Sequence, residues 1–186
     1  MAPVNDTRKS KNQAILQLAA AQPLPPFQSA PTYRELTNIF SRLWSIPWDN
    51  HRKEFFWRFS LDGIPTAARM HMVGASCACG VVAPDRAHHY WDCPIAQAVI
   101  AEVKHDLPAY AATSLHRLHI WLARVPVCTP ALHKQVWLVV CQAALLAMDE
   151  GRKVFTAIQL GSNQLPCASA ALPPDIQLLI AQRVAI

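Results

Sequence analysis

Cys77, Cys79 and Cys93 fall within a stretch of seventeen residues that also holds the adjacent pair His88-His89. Thiolates and neutral imidazoles are the ligands of structural zinc, which takes four in a tetrahedron, commonly as two close pairs. Cys77 and Cys79 supply one pair, and Cys93 with either histidine supplies the other. Gly80 follows the first pair and lets the backbone turn tightly around an ion. His89 and Cys93 are four apart, which suits one helix face, but Cys93 precedes Pro94. The residue before a proline is pushed out of the helical region. The helix-face argument therefore fails, and the spacing leaves His88 and His89 both open. Pro94 suits the first position of a helix, which places Cys93 where the dipole favours a thiolate. Three thiolates on a dication would lower the net charge from +5 to about +4. The Cys-x-Cys gap is tighter than usual for zinc, and the competing reading is buried structural thiols beside surface histidines.

The elements around this knot read as helices. Residues 1–31 form an expected flexible, Pro-rich N-terminal segment: a short helix over Asn12 to Ala21, then a linker broken by Pro23, Pro25, Pro26 and Pro31. Residues 32–160 form the expected helical zinc-binding domain, with the knot at 77–93. Thr32 and Glu35 make a capping box, and Leu36, Ile39, Phe40, Leu43 and Trp44 follow at helical spacing. Asn50 is the expected N-cap of a second helix over 51–61, where Phe55, Phe56, Trp57 and Phe59 cover most of the circumference. Pro65-Thr66 opens a third, short helix to Met72, and Pro94 a fourth with Ala96, Val99, Ile100 and Val103 on its apolar face. Ser114 to Ala123 and Pro130 to Leu160 read as further helices, the second divided at Gly151. Residues 161–186 are expected to form a loop and a short C-terminal helix from Pro173. No segment alternates with period two. The fold class is mainly α, a small helical domain organised around one Cys/His zinc knot, with irregular N- and C-terminal segments.

Composition agrees. The chain has 186 residues, 52% of them apolar and 16% charged, enough for a core in one domain of typical size or one domain plus a tail. Five glycines against fifteen prolines argue against a sandwich or barrel built on tight glycine turns. Val136 to Met148, the longest nearly apolar run, is shorter than the roughly 20 residues of a membrane span. No membrane partner is expected. No secretory signal is evident; Arg8, Lys9 and Lys11 read as a weak nuclear or organellar address or as a polar chain start. Without a signal, six cysteines suit an intracellular, reducing compartment, nucleus or cytoplasm. The positive excess sits in residues 1–60, with eight Lys/Arg against four Asp/Glu.

With these residues the sequence resembles the reverse transcriptase zinc-binding domain, an accessory domain of non-LTR retrotransposon polyproteins. The resemblance spans about residues 38–104. It is carried by Trp57-Arg58, Ile64-Pro65-Thr66, Arg69, His71-Met72, the Cys77/Cys79 pair, and His88 four residues before Cys93-Pro94. Trp137, Ala144, Met148, Gly151 and Arg152 also look like sequence that trails the domain. The resemblance implies His88 as the ligand, since His89 would leave only three residues before Cys93. It thus implies a structural Zn2+ on Cys77, Cys79, His88 and Cys93. The family spacing is Cys-x2-Cys, so the gap here puts one ligand in question, with His71 and Asp92 as the nearest substitutes. It further implies a non-catalytic accessory module that helps hold template RNA or target DNA near a polymerase. A stacking aromatic needs an exposed base, which favours RNA or single-stranded DNA over duplex.

Arg52, Lys53, Arg58, Arg69 and Arg86 flank the aromatic helix and the knot, where they could meet phosphates while an exposed aromatic, Trp91 or Tyr90, stacks on a base. The competing reading makes the basic residues a solvated rim and the aromatics core. The chain lacks Tyr-x-Asp-Asp, GxxxxGK[ST] and HExxH motifs, so no enzyme is expected. His116 and His119 read as surface histidines, and Cys141 as a small core residue. The alternative function is a protein–protein scaffold, or an inactive remnant, in which zinc only supports the fold.

Overall fold

A computed structural model describes residues 32–60, 63–126 and 134–162, together with Gln13. The expectations for the rest of 1–31 and for the C-terminal helix lie outside the described residues. Among those described, the fold is helical, and the single β-bridge pairs Ser76 with Val82.

Helix α1, Tyr33–Ser45, begins at the expected capping box: Thr32 Oγ1 accepts from the Glu35 amide at 3.2 Å, and Glu35 accepts from the Thr32 amide at 3.4 Å. Leu36, Ile39, Phe40 and Leu43 recur on one face and are buried. Helix α2, Asn50–Ser60, is capped one residue earlier than expected, since Asp49 Oδ1 accepts from the Arg52 amide at 2.9 Å. Phe56 and Phe59 are fully buried, and Phe55 and Trp57 are half-buried. The chain then makes only one turn over 67–71 where a short helix was expected. Thr66 Oγ1 accepts from the Arg69 amide, and His71 at φ 51° ends the turn before a helix can propagate.

Helix α3, Pro94–His105, buries Ile95, Ala96, Val99, Ile100 and Val103. The expected helix over Ser114 to Ala123 is instead two short ones: α4, Ala109–Ser114, and α5, Arg117–Trp121, with extended Leu115 and His116 between them. Helix α6, Lys134–Ser162, packs against α1, α2, α3 and α5. Gly151 is buried within it and does not divide it. Trp137, Leu138, Cys141, Ala144, Leu145 and Met148 recur at helical spacing and form the core face. Each such large apolar side chain contributes about 1.5–3 kcal/mol by leaving water. Among the described residues, no helix is long and apolar enough to cross a membrane.

Polar anchors fix how these helices meet. Trp137 Nε1 donates to the carbonyls of His119 at 3.2 Å and Arg124 at 2.9 Å, tying α6 to α5 and the segment after it. Trp121 Nε1 donates to the Tyr90 carbonyl at 3.2 Å. The Phe59 ring meets Tyr90 edge-on at 4.8 Å and Trp121 at 5.5 Å, so α2, α5 and the segment carrying the histidines share one aromatic joint.

Candidate metal centre

The knot is built from two backbone devices. In the first, Cys77, Cys79 and Gly80 form a tight turn: the Gly80 amide donates to the Cys77 carbonyl and the Cys77 amide to the Val81 carbonyl, both at 2.8 Å. Gly80 sits at φ 94°, a left-handed conformation that glycine adopts without strain. In the second, Asp85 Oδ1 accepts from the His88 amide at 2.7 Å and starts a helical turn. The turn widens over His88–Asp92, where the Cys93 amide reaches back five residues to the His88 carbonyl at 2.8 Å. Cys93 is then extended, at φ −62° and ψ 140°, as proline at the next position requires, and forms the N-cap of α3.

These devices bring Cys77, Cys79, His88 and Cys93 together, with their ligand atoms all within 4.8 Å of one another. Cys77 Sγ stands 3.9 Å from Cys93 Sγ, and Cys79 Sγ 3.2 Å from His88 Nε2. Zn–S bonds of about 2.3 Å in a tetrahedron place two sulfurs about 3.8 Å apart, so the donor set fits zinc in kind and in size. Cys77 and Cys93 are buried, and Cys79 and His88 are half-buried. These residues could hold a metal ion.

Electrostatics favour thiolate at one point of the cluster. Cys77 is held far below its ordinary value, first by the hydrogen bond from Cys93 and then by both histidines. The same contact, with burial, pushes Cys93 up, and burial raises Cys79. Backbone N–H groups two residues on favour each thiolate: that of Cys79 at Cys77, Val81 at Cys79 and Ile95 at Cys93. A bound dication would deprotonate the remaining thiols outright.

His89, left open by spacing, is buried, its ring 5.6 Å from that of His88 and edge-on to Tyr90. It is not one of the four clustered donors, and its Nδ1 has no hydrogen-bond partner among the described residues. His71 and Asp92, the nearest substitutes, are exposed and stand outside the cluster.

The basic residues singled out for nucleic acid do not share one arrangement. Arg52 is exposed and pairs with Asp49 at 3.3 Å, and Arg58 pairs with Glu54 at 2.6 Å. Arg69 is exposed. Lys53 is only 8% exposed and aims its ammonium at the Trp44 carbonyl, 3.4 Å away in the last turn of α1. There the cation complements the helix C-terminus. Arg86 turns inward: it donates to the Phe59 carbonyl at 2.8 Å and lies 4.6 Å over the Trp121 ring. Trp91 is half-buried against the core and tilts over His116. Lys53 and Arg86 thus close helix ends and aromatic faces, where a free basic rim was expected.

His116 and His119 are also placed differently. His119 is fully buried and its Nδ1 accepts from the His116 amide at 2.9 Å, which caps α5. Burial depresses the basicity of both. Cys141 is a core thiol, as expected, donating to the His119 carbonyl at 3.3 Å, and burial raises it.

The chain matches no family model, no curated protein and no solved structure.

Proposed function

We propose that this chain is a zinc-stabilised, non-catalytic module that binds nucleic acid, RNA or a single strand, through its surface. The observation that carries the reading is the Cys77–Cys79–His88–Cys93 cluster. Four protein donors complete a tetrahedron and leave no open coordination position for chemistry, so zinc there is structural and its binding energy is folding energy. The ion would hold the 77–80 turn against the N-terminus of α3 and so set the angle between the knot and the core. Net charge of +5, exposed Arg52, Arg58 and Arg69, and the resemblance to an accessory domain of reverse transcriptases support a polyanionic ligand. The test is titration of a labelled oligouridylate of about 20 nucleotides with zinc-loaded protein at about 50 mM and about 200 mM salt. Binding that weakens steeply with salt is expected. Absence of binding at the lower salt contradicts the nucleic-acid reading.

A specific observation favours a protein partner as the second reading. Met70, Met72, Val73, Val81 and Val82 are all exposed on the segments leading into and out of the cysteine turn. The Ser76–Val82 bridge joins those segments. A metal that stiffens this loop would present five apolar side chains together, as an interaction scaffold does.

A further inference from the structure

A concave surface of about 420 Å³ lies on the side of α1 that faces Ala123, Arg124 and Val125 and the first residue of α6. It carries four cations: Arg34, Arg42, Arg124 and Lys134. Among the described residues the single acid lining it is Glu35, which pairs with Arg124 at 3.2 Å. None of these cations belongs to the set that the sequence nominated.

Arg34, Asn38 and Arg42 are spaced four apart, so they fall along one stripe of α1. Across from them, Arg124 is fixed by its own backbone. Ala123 at φ 48° turns the chain, and the Arg124 carbonyl accepts from Trp137 Nε1. Lys134, at the start of α6, is exposed. Ile39 and Ala123 are buried and make an apolar floor. The Arg42 Nε is shut off from solvent and donates to no acceptor among the described residues, although a buried N–H normally has a partner. No acidic side chain among the described residues pairs with Arg34, Arg42 or Lys134. Guanidinium groups in a cleft with one acid present a fork geometry that matches phosphate oxygens. A carboxylate ligand would leave much of this positive charge unmatched.

We propose that this cleft is a phosphate-recognition site, with Arg34 and Arg42 as the principal contacts and Arg124 and Lys134 completing the positive wall. The phosphate is either part of a nucleic-acid backbone or part of a free phosphorylated compound. The first source rests on the function proposed above; the second does not.

The test uses the full-length, zinc-loaded chain, its Arg34→Ala single variant and its Arg34→Ala/Arg42→Ala double variant. Two probes are used: inorganic pyrophosphate in a thermal melt and the labelled oligouridylate in a binding titration. Pyrophosphate is expected to raise the melting temperature of the parent in a concentration-dependent way, less for the single variant and not at all for the double. RNA affinity is expected to fall about tenfold or more in the double variant. Its salt slope should flatten by about 0.7 for each phosphate that the variant no longer neutralises. The single variant changes an exposed side chain, so it separates loss of binding from loss of folding. A pyrophosphate shift abolished in the double variant, with no RNA binding by the parent, supports the cleft with a free phosphorylated ligand and overturns the nucleic-acid reading. RNA binding and melting shifts equal in all three proteins overturn the cleft and leave the nucleic-acid reading standing. A parent that responds to neither probe overturns both.

Discussion

Tyr90 donates its phenolic hydroxyl to Asp149 Oδ1 at 3.1 Å, a hydrogen bond that links the histidine turn to the middle of α6 across 59 residues of chain. Arg152 and Lys153 also hold Asp149, and the Arg152 guanidinium stands 5.6 Å over the Tyr90 ring. The residue next to His89 in the knot is thereby tied to the longest helix of the core. Metal-site geometry and core packing become one problem.

Removing the carboxylate should be costly. Asp149→Ala leaves Arg152 without its partner beside a buried ring, and a loss of about 2–4 kcal/mol is expected from the urea midpoint. Tyr90→Phe removes a single hydrogen bond to a charged group and should cost about 1–3 kcal/mol. Burial works against the charge on Asp149, but Lys153, Arg152 and Tyr90 outweigh it and hold the carboxyl below its ordinary value. Its stabilisation is therefore present above the unfolded-state value of 3.8 and lost as pH falls below it. A variant as stable as the parent would remove Asp149 from the account of the fold.

His119 gives a second pH dependence with a different window. Burial lowers it to about 4 from 6.5, with His116 and Arg124 adding repulsion. The unfolded chain takes up a proton in that interval that the folded chain refuses. The contribution is complete above about pH 6.5 and declines as pH falls toward about 4. His119→Asn keeps an acceptor for the His116 amide but does not titrate. Its melting temperature should change less between those pH values than that of the parent. Parallel curves would contradict the assignment.

The N-terminal half of this architecture was legible because its signals are local. Thr32 and Glu35 cap α1 three residues apart, and Cys93-Pro94 announces both a ligand and a helix start. Other features depend on distant partners. Arg86 reads as a surface cation, and only the meeting of Phe59 with Trp121 gives it an inward place. Lys53 reads likewise, until the end of α1 appears beside it. The break between α4 and α5 falls where buried His119 can cap its own helix, a role that histidine does not advertise in sequence. Asp85 was a findable omission: an Asp three residues before His88 is an ordinary cap signal. The cleft of Arg34, Arg42, Arg124 and Lys134 joins elements that lie far apart in the chain, so no window of sequence contains it.

Gly80 offers a test of the cysteine turn itself. At φ 94° an alanine is strained, by about 1–3 kcal/mol. Gly80→Ala should therefore weaken metal binding in competition with a chelator while leaving the helix content near that of the parent. Unchanged competition would show that the turn does not depend on this conformation.

Trp137 tests the joint between α5 and α6. Trp137→Phe keeps a large aromatic ring but leaves the carbonyls of His119 and Arg124 without their shared donor. A loss of about 1–3 kcal/mol in urea unfolding is expected. No loss would mean that packing alone holds the joint.

The central claim is the metal. Elemental analysis of untagged protein, repeated on Cys79→Ser, His88→Ala and His89→Ala, measures it directly. About one zinc per chain is expected in the parent and in His89→Ala, and none in Cys79→Ser or His88→Ala, with melting temperature falling wherever zinc is lost. A folded parent without zinc, or zinc that follows His89 and not His88, would contradict the account.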